Sequence, residues 1–262
     1  EEGCTGLAPF GTTSEANSLG IDERMEMLEE IVEAGISGSK LMPGTGMCSL
    51  ADTILLTDHA VELGCAGVLM LPPFYYKNPS EEGLFRFFAE VIEEVADEDL
   101  KVYLYHIPPI AQVGFPLSLI ERLRKEFPTT VVGLKDSSGD WSNTKAILEA
   151  FPGFEVFPGS ETFLLDGLRL GGAGCISASA NVAAKSIRRV FDNWQTADAD
   201  KLQAETSALR KAIQSYPMIP LLKGIIGHYR KDAGWSKVRP PFVEAPAAEV
   251  AQVVKTLESE HG

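Results

Sequence analysis

The apolar run VVGLK at 131–135 closes on a lysine, Lys135. Lysine is among the residues least often buried, so the plain reading is a strand end that reaches water. Other apolar runs, however, also end on polar groups. Thr12 and Thr13 follow 4–10, Gly44-Thr45-Gly46 follow 37–43, and Tyr75 and Tyr76 follow 67–72. Tyr105 stands in 102–107, Gly159-Ser160-Glu161 come at or after the end of 155–158, and Ser177 and Ser179 come at the end of 174–178. Each alone is ordinary turn or core chemistry. Gathered on one face they make a reaction site. An amine in a partly dry pocket loses part of its preference for the charged form, and the neutral amine attacks carbonyls to form a Schiff base. A tyrosine on a neighbouring strand end passes the protons that this addition requires.

The elements that must position these groups repeat as strand then helix. The runs 4–10, 37–43, 67–72, 102–107, 131–135, 155–158 and 174–178 read as strands. Helices are expected over 22–34, 51–63, 80–96, 116–126, 141–150, 161–170 and 183–194. In the first, Met25, Leu28, Ile31 and Val32 have helical spacing, and Asp22 and Glu23 suit its opening turn. This alternation predicts a parallel sheet covered by helices. In a barrel of this kind the strands' carboxyl ends form one active face. With Val132 and Leu134 turned to the helices, Val131, Gly133 and Lys135 face the interior.

Seven strands are visible where an eight-stranded barrel needs one more, and the sequence opens on EEGCTG at the threshold of a strand. The expectation is an α/β fold, a (β/α)8 TIM barrel whose first strand and helix are absent from the sequence. Residues 1–196 would supply strands 2 to 8, and 197–262 a C-terminal helical extension packed on the barrel. That extension reads as helices over 197–215, 218–231 and 246–258. An open doubly wound sheet is the alternative, but GTGMCS at 44–49 matches its glycine fingerprint only weakly.

The 262 residues carry a net charge of −14, which repels nucleic-acid phosphates. Cys4, Cys48, Cys65 and Cys175 lack CxxC or zinc spacing, so free thiols in a reducing cytoplasm are expected. Neither a membrane-length apolar stretch nor a signal-peptide pattern is present, and a soluble cytoplasmic protein is expected. His59, His106, His228 and His261 are isolated, which argues against a metal-dependent enzyme. No metal or cofactor is expected. His106 is expected to face a helix, and Trp141, Trp194 and Trp235 to be packing residues.

Five stretches carry a resemblance: GTTSEANSL (11–19), AGVLMLPPFYYKNPSEEGL (66–84), YHIP (105–108), GLKDSSGD (133–140) and GGAGCISASANV (171–182). In order and spacing the chain resembles the dihydrodipicolinate synthase / N-acetylneuraminate lyase family of class I aldolases from Gly3 onward. The resemblance implies that Lys135 condenses with pyruvate or another 2-oxo acid. Tyr105 would be the proton relay, Thr12 its hydroxyl link, and Thr13 the holder of the carboxylate. Tyr76, or the adjacent Tyr75, would complete the relay across a subunit interface in a homotetramer built as a dimer of dimers. Ile176 would place a backbone carbonyl in the site, with Gly159 and Ser160 among the substrate-binding residues. The second partner would be an aldehyde or a sugar acid.

Two departures qualify the resemblance. Ser14 replaces a glycine of the family's threonine motif. The arginine that dihydrodipicolinate synthases carry soon after the YHIP-like segment is absent, leaving Ile110 and Ala111, and His106 replaces an asparagine. A carboxylate on the second substrate would lack its partner. Aldolases or dehydratases acting on 2-keto-3-deoxy sugar acids, which also lack that arginine, are the alternative. A protein that binds 2-oxo acids without turnover is a further one, against which the complete lysine, tyrosine and threonine set argues.

Overall fold

The computed structural model describes residues 3–261. The helices α1 (Ile21–Glu33) and α2 (Leu50–Glu62) precede the first ladder strand. Four parallel strands then lie side by side in chain order: β1 (Val68–Met70), β2 (Val102–His106), β3 (Val131–Asp136) and β4 (Glu155–Pro158). Between them run α3 (Glu81–Val95), α4 (Pro108–Ala111), α5 (Leu117–Glu126) and α6 (Trp141–Ala150). Helical crossovers of this length are what parallel neighbours require. The α3 sequence illustrates why they form. Ser80 caps it by accepting from the Gly83 amide at 3.1 Å, and Glu81 and Glu82 suit its positive end. Leu84, Phe88, Val91 and Ile92 recur on one buried face.

The sheet extends past both outer strands. Leu7 bridges Leu41 and Gly44 bridges Leu69, both in parallel sense. Beyond β4, the Ala173 amide donates to the Val156 carbonyl at 3.0 Å and the Ile176 amide to Pro158 at 3.1 Å. Seven parallel segments thus follow one another in chain order. One face packs Leu104, Leu134 and Val156 under Phe88, Leu119, Ile120 and Ile147 of the helices. The other gathers Leu69, Tyr103, Tyr105 and Ile107 with Val132, Phe157 and Ile176. Burial on both faces is what an all-parallel sheet requires, and each fully buried large side chain contributes roughly 1.5–3 kcal/mol.

After β4 come α7 (Leu164–Arg169), α8 (Ala180–Asn193), α9 (Ala199–Gln214), α10 (Met218–Arg230) and α11 (Ala247–His261). Leu209, Ile213, Leu221, Ile225, Val253 and Leu257 of the last three helices form a second core that reaches Ala183 of α8. Among the described residues, no helix is long and apolar enough to cross a membrane.

Three sequence expectations change. Segments 4–10 and 174–178 are extended but carry no ladder of their own, and 37–43 contains a 3-10 turn at Gly38–Lys40 where a strand was expected. The turn arises where Gly38 lies against the carbonyls of Leu63 and Gly64, closer than any side chain would allow. The alternation in β3 is also displaced. Val102 pairs with Val131 and Tyr103 with Gly133, so Val132 is bulged out of register. Val131 therefore packs with the helices and Val132 with the barrel interior, the reverse of the expectation. Beyond the bulge, Gly133 and Lys135 point inward as expected, opposite Tyr103 and Tyr105.

Candidate active site

Lys135 and Tyr105 are register partners on adjacent strands. The lysine Nζ lies 4.3 Å from the centre of the Tyr105 ring, and the Tyr105 hydroxyl is 3.1 Å from Thr12 Oγ1. Tyr105 is buried, whereas Lys135 is partly open to the cavity it borders. One residue pair below, Gly133 makes room for the Tyr103 ring, whose hydroxyl donates to Glu155 at 2.5 Å. Burial, and then that hydrogen bond, push the Tyr103 phenol up, so it stays protonated. The floor beneath Lys135 is therefore filled and uncharged on the tyrosine side.

The cavity has a volume of about 510 Å³. Lys135, Thr12, Thr13, Ser14, Ile176 and Ser177 all border it, and its two long sides are residues 3–9 and 173–178. Among the described residues, no backbone hydrogen bond joins these two sides. Lys40 borders the same cavity, exposed at the end of its 3-10 turn. Cys175 borders it too, but burial, and next the nearby Glu161, raise its thiol far above the usual range. The Cys175 thiol therefore stays protonated at neutral pH.

The threonine turn has unusual backbone. Phe10 and Glu15 have φ of 57° and 55°, so left-handed residues bracket Gly11–Ser14. The turn closes through Ser14 N to Gly11 O and Glu15 N to Thr12 O, each 3.1 Å. Non-glycine residues held in this region concentrate at functional sites.

The remaining expected residues stand further out. Tyr75 and Tyr76 project into solvent, 73% and 76% exposed, with their rings edge to face. Gly159 lies hard against Ser137 and donates its amide to the Asp136 carbonyl at 2.6 Å, while Ser160 caps the following turn through Thr162. Neither is among the cavity's lining residues. His106 is buried on the helix side, where Nδ1 accepts from the Phe115 amide at 3.0 Å. Trp141 and Trp194 pack in apolar clusters, Trp235 lies half exposed near Arg230, and the side chain of His261 lies outside the described residues. The four cysteines are free. Among the described residues, no cluster of His, Cys, Asp and Glu is placed to hold a metal ion.

Two polar groups escaped the sequence reading. The fully buried Glu161 accepts from Ser177 at 2.5 Å, from Ser179, and from Arg210 of α9 at 3.3 Å. Glu15 accepts from Lys223 of α10 at 2.5 Å and from the Arg239 amide at 2.6 Å. Glu161 was visible only as a polar residue after a strand, and Glu15 only as part of a motif.

The family model of the dihydrodipicolinate synthetase family matches residues 1–260. A protein of Chloroflexus aurantiacus described as an uncharacterized DapA-like lyase is 34% identical over 250 residues, which is 95% of this chain and 83% of that protein. The crystal structure of dihydrodipicolinate synthase from Agrobacterium tumefaciens superposes with a TM-score of 0.90 at 31% identity, covering 100% of this chain and 89% of that one. YagE, a prophage protein of the dihydrodipicolinic acid synthase family from E. coli K12 in complex with pyruvate, gives 0.87 at 25% identity, covering 99% and 88%. These matches span nearly the whole chain and share its parallel α/β barrel architecture. The chain belongs to the dihydrodipicolinate synthetase family, and it is a class I lyase, an enzyme that works through a lysine Schiff base.

Proposed function

We propose that Lys135 is the Schiff-base lysine and that its carbonyl substrate is a pyruvate-type 2-oxo acid. The supporting observation is the stack of Lys135 Nζ over the buried Tyr105, whose hydroxyl reaches Thr12, with Lys135 and Thr12 on the border of one cavity. The neutral amine adds to the keto carbon and gives a carbinolamine. Its hydroxyl leaves as water once protonated, and Tyr105 delivers that proton and recovers one through Thr12. The resulting Schiff base withdraws electrons from the adjacent carbon. That carbon can then lose a proton and add to an aldehyde, or the bond beyond it can break in the reverse direction.

Thr13, next in the same turn, holds the carboxylate through its hydroxyl and backbone amide. The Ile176 carbonyl faces the bound acid. Gly159 and Ser160, which line no part of the cavity, shape the β4 end beside it and do not touch the acid. The protonated Schiff base is itself the electron sink, becoming an enamine when the adjacent carbon loses a proton, so the step calls on no cofactor or metal. Tyr76 completes the relay in a neighbouring subunit of a homotetramer, a role its exposure leaves open to it. The parallel segments and the helices between them fit a (β/α)8 barrel, with α9 to α11 as its helical extension. The free thiols fit a reducing cytoplasm.

For the second substrate, one observation favours a neutral partner over a carboxylate. Ile110, 61% exposed, follows the YHIP segment where an arginine would be needed, and none occurs between 105 and 115. A 2-keto-3-deoxy sugar acid fits this pattern, because its only carboxylate is the one beside the keto group.

Borohydride reduction in the presence of pyruvate tests the reading. One reduced pyruvyl adduct per chain is expected on Lys135, and Lys135→Ala should abolish it. Lys40 borders the same cavity and serves as internal control. A label on Lys40, or on no lysine, refutes the assignment.

A further inference from the structure

We propose that Glu15 is a positioning residue: its carboxylate, gripped by Lys223 and by the Arg239 amide, holds the Thr12–Thr13 turn against Tyr105. The inference rests on the roles of Lys135, Thr12 and Thr13 given above. It adds that the C-terminal helices set the geometry of the threonines.

The need for a grip is local. Both ends of the turn are left-handed and neither is glycine, at Phe10 and at Glu15. Such residues persist only where their surroundings over-determine them. Phe10 is fixed by burial, with the Arg24 guanidinium 5.8 Å from its ring centre. Glu15 is fixed through its side chain, which is only 7% exposed. One carboxylate oxygen accepts from Lys223 Nζ at 2.5 Å and the other from the Arg239 amide at 2.6 Å. Both donors come from more than two hundred residues away, on α10 and on the segment that follows it.

That segment is itself anchored. The Arg239 guanidinium bonds both oxygens of Glu23 on α1, at 2.7 and 3.1 Å, and Ser18 Oγ donates to the Pro240 carbonyl at 3.0 Å. A charge as buried as that of Glu15 is tolerated only with a partner, and Lys223 is the cation that supplies one. Without it the carboxylate would turn toward water, and the φ of Glu15 would relax toward the ordinary region. Thr12 and Thr13 lie within the three residues before that hinge, so the relay hydroxyl and the carboxylate site would move first.

The test uses pyruvate alone. Exchange of its methyl protons with deuterium oxide reports Schiff-base formation and proton removal without a second substrate. Four variants are compared with the intact chain: Lys223→Met, Lys223→Arg, Glu15→Gly, and Arg122→Met as control. The control breaks the exposed Arg122–Glu82 pair on α5 and α3. Lys223→Met should lower kcat/KM for exchange roughly ten- to hundredfold, with both a lower kcat and a higher KM, because small displacements of aligned groups are costly. Lys223→Arg should restore most of the loss. Glu15→Gly separates grip from local backbone preference, since glycine accepts a φ of 55° more readily than glutamate does. It should be as impaired as Lys223→Met.

Wild-type constants in Lys223→Met, or full activity in Glu15→Gly, overturn the proposal. So does a loss that merely tracks the unfolded fraction measured by circular dichroism, or an equal loss in Arg122→Met. If the intact chain takes label on Lys135 and these results follow, only the positioning role falls. If the intact chain neither exchanges nor takes label, the Schiff-base assignment fails and this inference fails with it.

Discussion

Lys135 meets Tyr105 because both point inward at the same level of adjacent parallel strands. An ammonium over an aromatic face gains about 0.5–2 kcal/mol, so the ring face helps to place the lysine while the hydroxyl serves the reaction. The two contributions are separable. Tyr105→Phe keeps the face and removes the hydroxyl. It should still form the trapped pyruvate adduct, but about 10²-fold more slowly, the lower range for a lost acid–base group. An unchanged trapping rate would remove Tyr105 from the relay. A second residue-scale effect concerns His106. Burial lowers its pKa below the usual value, opposed by the nearby Asp136 carboxylate, and its Nδ1 accepts a backbone hydrogen bond that protonation would break. The unfolded chain therefore binds this proton more readily than the folded one. The associated stability is fully present above the unfolded pKa of about 6.5 and is lost as pH falls from there toward the folded value. Melting temperatures between about pH 7.5 and 5 should fall more steeply in the wild type than in His106→Asn, which cannot titrate. Equal slopes would refute this.

At the scale of elements, β3 is decided by a bulge and a glycine. The bulge at Val132 escapes a reading by simple alternation, because nothing in VVGLK marks which residue is skipped. Gly133 does leave a trace, as the small residue beside a large one on the next strand. A Cβ at Gly133 would stand 2.4 Å from Tyr103 Cδ1 and 2.5 Å from the Glu155 carbonyl oxygen. Gly133→Ala should cost about 1–3 kcal/mol or more in urea unfolding, as overpacking does. Adding Tyr103→Leu should recover only part of this, since the Glu155 backbone cannot withdraw. Full stability in the single variant would mean that β2, β3 and β4 approach less closely. The longer helices were legible within a few residues, as with 116–126 against Leu117–Glu126, because continuous apolar spacing marks them. The short α4 was not read, and 161–170 divides into a 3-10 turn at Glu161–Phe163 and α7. The outer extended segments were legible as apolar runs but not as bridged edges, since pairing depends on neighbours distant in sequence. For the same reason the grips on Glu15 and Glu161 were invisible. Their partners lie 208 and 49 residues further along the chain.

At the scale of the whole molecule, the proposed association rests on the face that carries Tyr75 and Tyr76, both exposed. Lys77 donates to the Phe74 carbonyl at 2.5 Å and to the Ala111 carbonyl at 3.1 Å, tying the tyrosine loop to α4. This sets two tyrosines and Ile110, each more than half exposed, on neighbouring segments, and contiguous exposed apolar surface marks association sites. Sequence alone placed tyrosines here without choosing between them, and the nearly equal exposure of the two leaves the choice to experiment. If the site is shared between subunits, two dead variants should rescue each other. Lys135→Ala lacks the amine, and Tyr76→Phe lacks the relay hydroxyl that it would lend to its neighbour. In a two-fold dimer joining one chain of each kind, one site has the Tyr76→Phe chain's lysine together with the other chain's intact Tyr76, and is complete. The opposite site lacks both. Random reassociation makes half of the dimers mixed, each with one working site of two, so the mixture should recover about a quarter of wild-type pyruvate exchange. The same mixture with Tyr75→Phe in place of Tyr76→Phe identifies which tyrosine crosses the interface. Sedimentation should show association throughout, and a fully active monomer, or no rescue with either tyrosine, would end the shared-site reading.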